Sequence, residues 1–221
     1  MPEIKVIITA GGSSRRFGDE NKLLYKINNK EVIRYSVDLF TEMNFQIIIP
    51  TNKDAIDDFQ RLFKNYDNVT ITEGGITRQQ SVYKGLLQIG SCDYVIIHDG
   101  ARPLITKEIV QEGINAVIDK RAIITAVKTT DTIKTVDMNK KITSTPNRIN
   151  LINVQTPQIF DYKIILEAHK KYQDKSFTDD ACLIEELGLN VFYIEGDYSN
   201  IKITNKIDIE YAKLIMDEKK C

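Results

Sequence analysis

Cysteine and histidine are both scarce, and the charges nearly cancel. Cys92, Cys182 and Cys221 stand far apart, with no CxxC pair. This excludes a disulfide framework and fits a reducing compartment. With His98 and His169 as the only histidines, neither a histidine-based metal cluster nor a catalytic triad is legible. Thirty Lys and Arg stand against 31 Asp and Glu, a net charge of −1. General attraction to nucleic acid or to an anionic membrane is therefore not expected, and any anion site must come from local placement of basic side chains. No apolar run approaches the roughly 20 residues that span a bilayer. Met1–Lys5 do not form a basic segment ahead of a long apolar one, so the expectation is a cytoplasmic protein. No repeat, low-complexity tract or Pro/Gly-rich linker divides the 221 residues. A single domain over residues 1–221 is expected, long enough for a well-buried core.

What is present is alternation. Val6–Ile8, Ile47–Ile49, Val69–Ile71, Tyr94–Ile97 and Ala122–Val127 are short and continuously apolar, as strands buried on both faces must be. Between them lie helical spacings: Val32 to Phe40, Ala55 to Phe63, Thr77 to Leu87, and a segment from Thr106, read as an N-cap, to Ile118. Further on, Asp161–Tyr172 and Asp179–Leu187 read as helices, Val191–Ile194 and Ile201–Ile203 as strands. A last helix opens at Asn205 or Asp208 and runs to Met216. The pattern predicts an α/β fold: one Rossmann-like, three-layer domain around a mostly parallel sheet. It breaks near Asp131, where two β-prone pieces, Thr132–Val136 and Lys141–Thr145, flank the polar turn Asp137–Lys140. This reads as a β-hairpin arm inserted at about 131–147. Two strands alone are marginal in water, so the arm either folds back on its own domain or embraces a second copy.

Ligands of open parallel sheets bind beyond the carboxyl ends of the strands. After the first strand the chain reads TAGGSSRRFGDENK. Glycines admit backbone amides close to phosphate oxygens, Ser13 and Ser14 add donors, and Arg15, Arg16 and Lys22 add positive charge. A lone Gly-Gly would be an ordinary turn; three cations in the same loop point to an anion. The loop is not a P-loop, because Gly12 is followed five residues later by Phe17. Nor is it a dinucleotide fingerprint: the GxGxxG spacing fails, and the second strand ends in Pro50-Thr51-Asn52 without an acidic residue. A dehydrogenase is thereby disfavoured. Such a loop suits a nucleoside triphosphate attacked at its α-phosphate, where negative charge builds in the transition state.

Other stretches agree. EGGITRQQSV places Gly74, Gly75, Arg78 and Ser81 after a short strand at the mouth of a helix. VIIHDGARP ends a buried strand in Asp99 and Arg102. SNIKIT sets Lys202 between Ile201 and Ile203, where a lone base needs an anion or a carboxylate partner. His98, after a strand, reads more simply as a hydrogen-bonded structural residue than as a catalyst.

In their order, TAGGSSRRFGDENK, GGITRQQSV, HDGARP, DTIK, NVQTPQ, FTDDA and NIKIT resemble the 2-C-methyl-D-erythritol 4-phosphate cytidylyltransferases. The resemblance covers about Lys5 to Lys213. It departs from the family pattern at Ser13, Asn21 and Gly100. It implies transfer of CMP from CTP to a sugar phosphate in the non-mevalonate isoprenoid pathway, with release of pyrophosphate. Arg15 and Lys22 correspond to catalytic cations on the triphosphate. Gly74, Gly75, Arg78 and Ser81, with Ala10 and Gly11, correspond to nucleotide contacts, and Asp99 and Arg102 line the junction between the substrates. Thr132, Arg148 and Lys202 correspond to sugar-phosphate contacts. The β-arm would make a homodimer, with Arg148 serving the partner's site. No metal cluster is expected in the chain; Mg²⁺ would arrive on the CTP phosphates with Asp99 nearby. A pentitol (ribitol) 5-phosphate cytidylyltransferase shares most of these motifs, and HDGARP, with alanine before the arginine, favours the erythritol substrate. A catalytically silent nucleotide-binding module would not need Arg15, Lys22 and Lys202 together.

Overall fold

A computed structural model describes residues 2–11 and 21–218. Its first strand, β1 (Ile4–Thr9), lies inside the sheet, with neighbours on both sides. Val6 and Ile8 point to one core and Ile7 to the other, the two-residue period that a strand buried on both faces imposes. A small hairpin follows, β2 (Lys26–Ile27) and β3 (Lys30–Glu31), turned by Asn28 and Asn29, both at positive φ. The chain continues through α1 (Val32–Glu42), β4 (Gln46–Thr51), α2 (Ile56–Leu62), β5 (Val69–Glu73), α3 (Arg78–Ile89), β6 (Tyr94–Asp99), α4 (Lys107–Lys120) and β7 (Ala122–Lys128). The hairpin β8 (Thr135–Val136) and β9 (Ile142–Ser144) precedes β10 (Ile152–Asp161). The remaining elements are α5 (Tyr162–Lys171), α6 (Ala181–Glu186), β11 (Phe192–Glu195) and α7 (Lys206–Glu218).

Seven strands form the main sheet in the order β11-β7-β10-β6-β1-β4-β5. All neighbours run parallel except β10, which is antiparallel to both β6 and β7. Residues of α1, α2, α4 and α7 fill the core on one face, among them Val37, Phe40, Phe59, Val110 and Ala212. Residues of α3, α5 and α6 fill the other, among them Val82, Leu86, Ile165 and Leu183. The expected three-layer α/β domain is therefore present. Among the described residues no helix is long and apolar enough to cross a membrane.

Four local readings need correction. β10 went unrecognised because its middle reads Asn153, Gln155, Thr156, Pro157 and Gln158, and a register shift interrupts it between Gln155 and Gln158. Ile201–Ile203 is not a strand; it is an extended segment tied to the turn after β6 by the bond from Ile203 N–H to the Ala101 carbonyl (2.8 Å). Thr106 occupies the N-cap position of α4 but its side chain makes no capping bond, whereas Thr77 forms a complete capping box with Gln80 at the start of α3. The arm's strands are shorter than the sequence suggests. They form a two-stranded sheet of their own, separate from the main sheet, and their residues are exposed.

Candidate active site

Parallel pairing brings four strand ends to one edge. Thr9 pairs with Asp99, Ala10 bridges to Thr51, and Thr51 pairs with Glu73, immediately before Gly74. Among these ends sit Gly11 and Gly74. A Cβ on either would come within 2.8 Å of the Ser81 hydroxyl, so only glycine lets the backbones meet there. Ser81 is fully buried. Its Oγ accepts from Gly75 N–H (3.0 Å) and lies 2.9 Å from the Thr77 carbonyl, to which it donates. Ser81 therefore supports the glycine cradle from beneath. Lys84 adds a bond from Nζ to the Gly74 carbonyl (2.7 Å). Gly74 and Gly75 also line an open hollow of about 730 Å³ with Asn52, Gln80 and Lys84.

Asp99, at the end of β6, is the electrostatic centre. Its Oδ2 receives Lys202 Nζ at 2.6 Å, and its Oδ1 receives Arg78 Nε at 3.0 Å and the Thr9 hydroxyl at 3.3 Å. Burial alone would raise this carboxyl, but Arg78 and Lys202 outweigh it and hold it well below the usual carboxylate range. Arg78 reaches a second buried carboxylate, Asp180, at 2.7 Å from its Nη1. Asp180 in turn contacts His169 Nε2 at 3.2 Å. Burial disfavours the Arg78 charge, and the two carboxylates more than restore it. Arg102 is buried and donates from Nη1 to the Asn200 carbonyl (2.7 Å) and from Nη2 to the Val154 carbonyl (3.4 Å). Among the described residues its buried Nε–H has no acceptor. Arg78, Asp99, Arg102, Thr156, Gln158 and Lys202 share the wall of a cleft of about 460 Å³.

Ala10, Gly11, Gly74, Gly75, Arg78, Ser81, Asp99, Arg102 and Lys202 thus gather at one edge of the sheet. The carboxylate partner that Lys202 requires is Asp99. Lys22 Nζ donates to the Ile203 carbonyl (2.9 Å), which ties the end of the first loop to the Lys202 segment. Arg15 lies outside the described residues. Thr132 and Arg148 are exposed near the arm. Arg148 donates to the Thr130 carbonyl (2.6 Å), and among the described residues no bond joins either side chain to the Asp99 cluster. Sequence reading assigned no role to Asp180, Thr156 or Asn200. FTDDA, NVQTPQ and SNIKIT mark their neighbourhoods, but nothing in their spacing tells which polar residue faces inward.

The sequence pattern of the IspD family, 2-C-methyl-D-erythritol 4-phosphate cytidylyltransferase, matches residues 4–218. The chain belongs to this family. It is 41% identical over 220 residues to the protein of that name from Caldanaerobacter subterraneus subsp. tengcongensis, covering 96% of this chain and 97% of the relative. It is 39% identical over 221 residues to the one from Clostridium perfringens, with 96% and 98% covered. The fold superimposes on 4-diphosphocytidyl-2C-methyl-D-erythritol synthase of Anaerococcus prevotii with a TM-score of 0.87 at 34% identity, covering 98% of this chain and 99% of that one. Family membership and the polar edge of the sheet thus coincide: HDGARP, GGITRQQSV and NIKIT each deliver a residue to the Asp99 cluster.

Proposed function

We propose that the protein transfers CMP from CTP to the phosphate of 2-C-methyl-D-erythritol 4-phosphate, giving 4-diphosphocytidyl-2-C-methyl-D-erythritol and pyrophosphate. The observation that carries this reading is the convergence of Lys202 and Arg78 on Asp99 at the carboxyl edge of the sheet, with Arg102 on the same cleft wall and the Gly11–Gly74 cradle beside it. Relatives about 40% identical over nearly their whole length bear the erythritol phosphate in their name, which favours it over a pentitol 5-phosphate.

The nucleophile, a phosphate oxygen, is already anionic at neutral pH and needs no base. Its bond to the α-phosphorus forms as the bond from that phosphorus to the pyrophosphate oxygen breaks. The chemical difficulty is bringing two polyanions together, so positioning and fixed charge supply the catalysis. Gly11, Gly74 and Gly75 seat the nucleoside, with Ser81 supporting them from beneath. Lys22, at the end of the first loop, and Arg15, which lies outside the described residues, would supply positive charge to the triphosphate. Lys202, Arg102 and, from the arm, Thr132 and Arg148 hold the incoming phosphate. Among the described residues no three metal-ligating side chains come together, while Asp99 is one buried carboxylate at the cleft. Both Asp99 oxygens already receive Arg78 and Lys202, so a Mg²⁺ would have to be carried by the phosphate oxygens of CTP. Bound there, Mg²⁺ would neutralise charge on the triphosphate and the departing pyrophosphate.

Val136, Met138 and Ile142 of the arm and nearby Ile149 are exposed apolar side chains on a hairpin too small to be stable alone. A second copy covering them would make a homodimer and carry Arg148 to the partner's site. The near-zero net charge of the sequence, the free thiols of Cys92 and Cys182 and the metabolic substrate suit a cytoplasmic enzyme. The test is pyrophosphate release from CTP with each polyol phosphate in turn. Release with the erythritol phosphate far above ribitol 5-phosphate is expected; the reverse order would overturn the substrate assignment.

A further inference from the structure

His98 lies directly before Asp99 and is fully buried. Its ring meets the edge of Phe40, with centroids 5.6 Å apart and an interplanar angle of 68°. An apolar residue would fill that space. Instead, both ring nitrogens are engaged with polar atoms from three elements. Nε2 lies 3.1 Å from the Arg102 carbonyl and 3.3 Å from the Ser36 hydroxyl of α1. A carbonyl oxygen only accepts, so Nε2 bears the hydrogen. Ser36 donates to the same carbonyl at 3.0 Å. Nδ1 is then an acceptor, 3.2 Å from the hydroxyl of Thr156 on β10. That hydroxyl oxygen accepts the main-chain N–H of Asp99 at 3.0 Å. One tautomer of the neutral ring satisfies every one of these bonds.

The two chains of bonds end at different places. One runs through Thr156 to the backbone of Asp99, whose carboxylate holds Arg78 and Lys202. The other ends on the backbone of Arg102, whose guanidinium braces the Asn200 and Val154 carbonyls. We infer that His98 is a positioning residue with two arms: the Thr156 arm sets Asp99, and through it Arg78 for the nucleotide and Lys202 for the incoming phosphate, whereas the carbonyl arm sets Arg102 for the sugar phosphate alone. The inference rests on the reading of the site given above. It goes further in assigning a division of labour to a residue that touches neither substrate.

The test separates the arms in the full-length protein. His98→Asn keeps an oxygen acceptor near the place of Nδ1 but removes the donor to the Arg102 carbonyl. His98→Gln keeps an N–H near the place of Nε2 but abandons the Thr156 hydroxyl. His98→Asn should raise KM for the erythritol phosphate on the order of tenfold or more, leaving KM for CTP within about twofold. His98→Gln should instead lower kcat and raise KM for CTP by a similar factor, and Thr156→Val should reproduce it. The double variant His98→Gln/Thr156→Val should be no worse than the poorer single variant, because both cut one arm. Equal shifts of both KM values in both His98 variants, unchanged kinetics despite a lowered Tm, or additive losses in the double variant would overturn the inference. If the His98 variants do not fold, Thr156→Val carries the test alone, and unaltered KM for CTP and kcat would refute it. Nitrogen-15 NMR of the wild-type imidazole distinguishes this failure from failure of the functional reading. Protonation at Nε2 alone is expected whatever the substrates prove to be, and an Nδ1–H tautomer would overturn the two-arm arrangement.

Discussion

Burial pushes His98 down to about 4, from an ordinary value near 6.5. The folded ring, enclosed by Phe40, Ser36, Thr156 and the Arg102 carbonyl, is neutral where an unfolded chain would take up a proton. Stability should therefore fall as pH drops from about 6.5 to about 4, by up to roughly 3 kcal/mol. Asp99 and Asp180 act in a different window. Burial opposes their ionisation and Arg78 more than compensates, so their contribution is intact above the ordinary carboxylate value of 3.8 and is lost only below it. Denaturant unfolding at a series of pH values should show the upper slope in the wild type and a flatter one in His98→Gln; equal slopes would contradict the neutral buried ring. Lys202 shows why some site residues are legible in sequence. A base between two isoleucines has to find a carboxylate, and it finds Asp99 at 2.6 Å. Asp180 was not legible, because neither of two adjacent aspartates in FTDDA announces which one is buried against Arg78.

Elements differ in how openly the sequence declares them. β1, β4, β6 and β7 are continuous apolar runs, and burial on both faces leaves no other reading. β10 is buried equally well by satisfying polar groups: Gln155 donates to the Asp197 carbonyl and Gln158 to Asp179, each at 2.9 Å. That pairing is invisible until the fold is formed. The two threonine caps make a sharper contrast. Thr77 and Thr106 both precede helices in extended conformations, yet only Thr77 accepts a capping bond, from Gln80 N–H at 3.1 Å. Thr77→Ala should cost about 1 kcal/mol of stability, and Thr106→Ala markedly less. Because α3 begins beside Gly74–Gly75, Thr77→Ala should also weaken CTP binding. Equal destabilisation by the two substitutions, measured in denaturant, would show that the capping box contributes nothing.

For the whole molecule, one edge of the main sheet gathers Gly11, Gly74, Arg78, Asp99 and Lys202 within one chain, whereas Thr132 and Arg148 stand exposed beside the arm. If each arm serves the neighbouring subunit, Lys22→Ala and Arg148→Ala proteins, each nearly inactive, should recover activity when mixed and reassembled. A heterodimer has one site with both substitutions and one with neither, so random exchange restores at most about one quarter of wild-type activity. No recovery despite demonstrated subunit exchange would place Arg148 in its own subunit's site. The overall architecture was legible because alternating apolar strands and amphipathic helices admit few folds. The arm's destination was not, because an exposed hairpin records no partner in its own sequence. The central claim is that fixed charges at the sheet edge align one substrate phosphate for direct attack on the other, with no covalent link to the protein. Its most direct test is the stereochemistry at phosphorus, using CTP made chiral at the α-phosphate by a single sulfur substitution. A single in-line displacement inverts that centre, and inversion is the expected result; retention would require two displacements through a cytidylylated side chain and would contradict the account.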